Sequence, residues 1–306
     1  MSKIIVGVDE SERSKDAVAL AARLARGSEV ELLLVCAYPY DTAPSRAANT
    51  AYKRYLRDDA LATLEGAAGK LAETHSLQLL PVPDVSPPRA IQEIAARERA
   101  SLIVIGSSHR GAVGRVLAGT TAERLLHGAP CPVAVAPSGY AEAGRGAIAT
   151  IAVGYDGSPE SEAALTGAVV LARSLSARLR VTEVIDTMLV GPPALMTVPG
   201  DYLEPDDLEE RTREHVAERV GKLPGDIAAE PHVLVGEAES RLAEQSRDID
   251  LFVVGSRGYG PHRAVLLGSV SGRLVRDAAC PVLVVPRGIE APLEELFAAA
   301  SETQPA

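Results

Sequence analysis

An internal repeat limits, more than any other feature, what this chain can fold into. Ile4–Val8 followed by Asp9-Glu10-Ser11 recurs 147 residues later as Ile151–Tyr155 followed by Asp156-Gly157-Ser158. Gly106 is answered by Gly255, and Cys131-Pro132 by Cys280-Pro281, both at a spacing of 149. A unit of that length is a whole domain, so the chain reads as two copies of one fold. The copies are assigned to residues 1–138 and 148–287. Residues 139–147 form a small, aperiodic, glycine-containing linker, and 288–306 a tail with one turn of helical spacing.

Within the first copy, short apolar runs rich in β-branched residues alternate with helical periodicity. Strands are expected at Lys3–Val8, Val30–Ala37, Gln78–Val82, Leu102–Ile105 and Val133–Ala136. Helices are expected at Glu12–Arg26, Ala51–Thr74, Arg89–Arg99 and Thr120–His127. The second copy repeats the alternation, with Ser158 as N-cap and Pro159 at the first helical position. Its loop at 187–206 is long and rich in Pro and Gly. Strands of this kind form a parallel sheet, and right-handed crossovers put helices on both faces. The fold class is therefore α/β, two repeated Rossmann-like domains. Aromatics make up only 3% of the chain and there is no Trp, so the cores must be aliphatic. In such sheets ligands sit at the carboxyl ends of the strands, where the strand order reverses. Asp156 and Gly255 both fall on that edge.

The stretch from Asp250 to Pro286 carries the clearest chemistry. Leu251–Val254 is a buried strand, followed by Gly255, Gly258 and, nine residues on, Gly268-Ser269 at the start of a helical pattern. Glycines let an anion approach the backbone, and the free N–H groups and positive dipole end of a helix start face it. This is a phosphate cradle without the lysine of a Walker loop. Bland readings stand beside it. The glycines can simply shape a turn, Asp9 and Asp156 can organise the helix starts after them, and Arg257, His262 and Arg263 can be a solvated face.

Several function classes are excluded or disfavoured. The net charge of −10 argues against a sequence-independent nucleic-acid binder. Three Cys (Cys36, Cys131, Cys280) with no paired ligand spacing indicate neither zinc nor a disulfide framework. No apolar run reaches the ~18 residues of a membrane span, and the N-terminus lacks a secretory h-region, so a cytoplasmic location is expected. There is no GxSxG elbow and no HExxH, which gives no catalytic residue to assign.

With these residues in place, the chain resembles the universal stress protein family in its tandem form, over nearly everything outside the linker and tail. Its nucleotide-binding members carry Gly-x-x-Gly, nine residues, then Gly-Ser/Thr. Gly255-Ser256-Arg257-Gly258 through Gly268-Ser269 matches this in full, and Val153–Leu165 looks like the family's first strand and helix start. The resemblance implies a five-stranded parallel sheet of order 3-2-1-4-5 in each copy and binding of ATP, with Mg2+ accompanying it. It places Asp156 near the adenosine, the backbone of Val184 near the adenine, and Gly255, Arg257, Gly258, Gly268, Ser269, Val270 and Ser271 around ribose and phosphates. The corresponding first-copy set is Asp9, Ala37, Gly106, His109, Gly119 and Thr120, which departs from the pattern. His109 stands where the second glycine belongs, Ala122 where the second copy has Ser271, and Asp84-Val85-Ser86 lacks the counterpart of Gly236. The function implied is a nucleotide-dependent regulatory module of the stress response rather than an enzyme. A slow ATPase or phosphotransfer enzyme and a non-binding scaffold are the alternatives. Single-domain members pair through their last strands, so Val133–Ala136 and Val282–Val285 are expected to join the halves as an internal pseudo-dimer. The resemblance also admits a homodimer of such units.

Overall fold

The computed structural model describes residues 2–40, 50–69, 71, 74–107, 120–144, 146–186, 205–256 and 269–286. In the first domain the elements run β1 (Lys3–Gly7), α1 (Glu12–Leu24), β2 (Glu31–Tyr38), α2 (Thr50–Ala68), β3 (Ser76–Pro83), α3 (Pro87–Glu98), β4 (Leu102–Gly106), α4 (Thr120–Gly128) and β5 (Val133–Ala136). The second repeats them as β6 (Thr150–Gly154), α5 (Pro159–Leu175), β7 (Arg178–Ile185), α6 (Pro205–Gly221), β8 (Ala229–Val235), α7 (Ala238–Gln245), β9 (Leu251–Gly255), α8 (Ser269–Asp277) and β10 (Val282–Val285). Helix α2 stops six residues short of the expected Thr74. Gly69, at φ +44°, turns the chain into the left-handed region and ends the helix there. Among the described residues no helix is long and apolar enough to cross a membrane.

All ten strands form one sheet, ordered β3-β2-β1-β4-β5-β10-β9-β6-β7-β8. Each half has the expected 3-2-1-4-5 order with parallel pairing. The halves meet where β5 and β10 run antiparallel, with Val282 opposite Val135, Leu283 opposite Ala134 and Val284 opposite Val133. A two-fold relation between copies requires this: identical edges of parallel sheets can pair only head to tail. The seam gives the pseudo-dimer a continuous backbone ladder.

Alternation along the strands sorts the apolar side chains into two layers that run across both domains. One, with Val6, Ala134, Leu283 and Val153, lies under the α1 and α5 helices. The other, with Ile5, Val133, Val284 and Phe252, includes Leu125 of α4, Leu242 of α7 and Leu274 of α8. The three cysteines belong to these layers, and all are free and buried. Burial, aided by the Asp9 charge, pushes the Cys36 thiol up to about 11, and burial alone pushes Cys131 up to about 12. Neither is a reactive thiolate at neutral pH.

The segment joining the domains is anchored rather than loose. Asp16 of α1, itself only 3% exposed, accepts the backbone N–H groups of Gly139 (3.0 Å) and Ala141 (2.8 Å). The Arg23 guanidinium stacks 4.5 Å over the buried Tyr140 ring. The second copy has Ala163 in place of Asp16, so this clamp belongs to the first domain alone. Asp16→Ala is expected to remove the acceptor of two half-buried N–H groups and cost about 1 kcal/mol. It should speed proteolytic cutting near residue 140. Unchanged cutting would show that Tyr140 holds the segment unaided.

Candidate functional site

At the carboxyl edge of the second half-sheet, β6, β7, β9 and the first turn of α8 converge on a cleft of about 480 Å³. That volume is ordinary for a small-molecule site. It sits where the order turns from β7-β6 to β9-β10, the place a doubly wound sheet opens. A larger cleft, about 670 Å³, lies at the opposite edge beside Arg23, Arg26 and His75. It faces the C-terminal end of α1, whose dipole disfavours an anion, and it is remote from the switch point.

The sequence folds the rim of the site in a readable way. Ser158 caps α5, its side chain accepting from Ser161 N–H (3.2 Å), and Pro159 fits the first helical position. Asp156 Oδ1 accepts the Ser158 N–H (3.1 Å) and its hydroxyl, so the carboxylate organises the turn and also lines the cleft. Organising the turn and bordering the cleft are compatible for this carboxylate.

Val184 reaches the cleft through strand geometry. Thr182 accepts the Tyr155 N–H on its carbonyl (2.8 Å), on the side of β7 that faces β6. Residues two apart on a strand point their backbone groups the same way, so the Val184 N–H and C=O face that side too, beyond the last β6 pair at Gly154. A donor and an acceptor thus lie side by side at the open edge, the pattern that reads an amino-heterocycle. Ser269, Val270 and Ser271 form the first turn of α8 and border the same cleft, with Ser271 buried.

Gly255 lines the cleft, but its first requirement is packing. A Cβ there would stand 2.3 Å from the Glu160 carbonyl oxygen in the first turn of α5. Gly106 repeats the constraint against the Arg13 carbonyl, at 2.2 Å. Arg257, Gly258 and Gly268, together with His109 and Gly119, lie outside the described residues, as do 187–204 of the long loop, 288–306 of the tail and the residue before it. Thr120 is the first residue of α4.

Charge distinguishes the two copies. The second cleft is bordered by Asp156, Glu160, Asp186, Glu237 and Glu239, with no Lys or Arg among its described lining residues. In the first copy Arg13 replaces Glu160 and turns back on Asp9, with Nη2 3.6 Å from Oδ2 and Nε donating to the Ser11 hydroxyl (2.9 Å). Burial works to raise the Asp9 carboxyl. The Ser11 and Ser14 hydrogen bonds and the Arg13 charge outweigh it and hold the group below its usual range. At the end of β3, Asp84 is gripped by a two-pronged Arg89 (2.9 and 2.7 Å), which holds its carboxyl down against burial. The second copy has Gly236 at that edge, with φ +136°. The exchange of Arg13 for Glu160 is visible once the copies are aligned, although its consequence for Asp9 needs the contact. Ala37 and Asp9 border one first-copy cleft of about 380 Å³, shared with Arg13 and closed on one side by Leu56 and Ala60 of α2.

Comparison with known proteins agrees with this architecture. The family model for the Universal stress protein family matches residues 1–137 and again 148–286. A universal stress protein of Mycolicibacterium smegmatis is 33% identical over 293 residues, covering 92% of this chain and 96% of that one. One from Mycobacterium tuberculosis is 29% identical over 301 residues, covering 92% and 95%. The fold is that of the crystal structure of a universal stress protein from Archaeoglobus fulgidus, with a TM-score of 0.64, 22% identity, and 94% and 98% of the two chains covered. Two matches to one family model, joined end to end in a single sheet, make this chain a member of the universal stress protein family in its tandem form.

Proposed function

We propose that this protein is a regulatory module of the stress response that binds an adenine nucleotide, ATP with Mg2+, in its second domain. The observation that carries the reading is the convergence of the Val184 backbone edge, Asp156 and the α8 start on one cleft. Adenine would lie against Val184, ribose against Asp156 and Gly255, and phosphates on Ser269, Val270 and Ser271 at the positive end of α8. The motif adds Arg257, Gly258 and Gly268 to the phosphate side.

The acidic rim bears on the form of the ligand. Five carboxylates border the cleft, Glu239 with Arg273 3.9 Å away, and so acidic a rim favours a polyphosphate that arrives with a divalent cation. Among the described residues no group of three or more His, Cys, Asp or Glu is placed to hold a metal by itself. Mg2+ would therefore ride on the phosphates. The first domain is assigned no nucleotide, because Arg13 and Arg89 occupy the carboxylates at its corresponding edge and His109 replaces a cradle glycine.

Calorimetric titration of ATP into nucleotide-stripped protein tests the assignment. One site is expected, weakened at least tenfold when Mg2+ is removed and lost in Gly258→Val. Two sites, one surviving the substitution, would return the first domain to the reading. Sustained hydrolysis that Asp156→Ala abolishes while binding persists would make the protein an enzyme.

A further inference from the structure

The floor of the second cleft holds a polar pair where the first copy is apolar. Gln245 of α7 donates through Nε2 to the Thr182 hydroxyl oxygen at 2.9 Å, and both residues are buried, at 7% and 1% exposure. Their counterparts are Val35 and Ile94. Gly154 and Gly7 correspond, and each lies beside the matching α7 or α3 side chain, Leu242 or Ile91. Three residues further along those helices stand Gln245 and Ile94. Val35 and Ile94 are buried in the apolar layer, so the fold accepts hydrocarbon at both positions. The polar pair is thus not needed to build the domain. It also leaves Gln245 Oε1 buried without a partner among the described residues, a cost the first copy avoids.

Thr182 lines the cleft. Its bond to Gln245 puts the side chain on the α7-facing side of β7, and Val184, two residues on, shares that side. Because the oxygen accepts from Gln245, the hydroxyl hydrogen is left to donate. We infer that Thr182 is a specificity-determining residue, which donates a hydrogen bond to a ring nitrogen of the base held against Val184. Gln245 is a positioning residue that fixes the rotor. This rests on the nucleotide reading above and names the side chain that would select the base. A Val at this position, as in the first copy, offers a ring nitrogen nothing.

The test uses the full chain, ATP, and ATP analogues in each of which one adenine ring nitrogen is replaced by C–H. Thr182→Val is expected to weaken ATP about tenfold, the size of one net hydrogen bond. One analogue should bind the wild type as weakly as ATP binds the variant, and should be indifferent to the substitution. Thr182→Ser should restore the discrimination. The double variant Thr182→Val/Gln245→Ile carries the first copy's pair, leaves no unpaired amide, and should melt no lower than wild type while discriminating as poorly as Thr182→Val. Equal weakening of ATP and every analogue, or no weakening at all, overturns the role of Thr182 and leaves the nucleotide reading intact. A wild type that binds no adenine nucleotide overturns both.

Discussion

Leu283→Asp is expected to destabilise both domains together, by more than about 4 kcal/mol at neutral pH. Leu283 is fully buried on β10 and faces Ala134 of β5 across the antiparallel seam. It lies in the apolar layer that holds Val6 of one domain and Val153 of the other. A carboxylate there loses its water and gains no cation, a cost of several kcal/mol. The side chain responds by raising its pKa above the unfolded value of about 3.9. The penalty is then complete above the folded pKa and fades as pH falls toward the unfolded one. Thermal melting should fall by about 10 °C at pH 7 and by less at pH 4. Leu283→Val, which only removes a methylene, should cost about 1 kcal/mol. If melting of the first domain is untouched by Leu283→Asp, the seam is not a shared cooperative core.

The second large effect is expected at Gly255. Its missing Cβ makes room for a main-chain carbonyl, and a carbonyl in the first turn of a helix cannot rotate aside as a side chain does. Gly255→Ala forces α5 away from β9 by the better part of an ångström. The expected cost is about 3 kcal/mol, the upper range for overpacking. Gly106→Ala should do the same to α1 and β4, since its nearest obstacle is the Arg13 carbonyl at 2.2 Å. Gly66 is the internal control: it sits inside α2, and a methyl added there would meet nothing within 4 Å, so Gly66→Ala should stabilise by about 0.5–1 kcal/mol. Melting curves of the three variants check the pattern. Should Gly255→Ala melt like wild type but lose nucleotide, ligand approach rather than packing would be what this glycine serves.

That distinction shows where the sequence alone reaches its limit. The repeat, the period of its strands and helices, and the cradle spacing from Gly255 to Ser269 are local patterns. They determined the fold class and the strand positions to within about two residues. The same pattern marks Gly255 as a loop glycine, because a spacing cannot report what a Cβ would strike. Its obstacle, Glu160, is 95 residues away in sequence and meets it only because α5 crosses β9.

Other features depend in the same way on contacts between distant residues. Asp16 looks like one polar residue on a helix face until Gly139 and Ala141 fold back onto it. Arg13 reads as a solvent-facing charge until its guanidinium turns on Asp9. Thr182 and Gln245 sit 63 positions apart and become a pair only when α7 packs on β7. Periodicity and spacing are written in neighbouring residues, so the sequence by itself determined the two α/β units and the likeness of their edges. Which edge stays open, which carboxylates are already taken, and how two sheets become one were decided by tertiary packing, because burial and electrostatic pairing depend on distances in space.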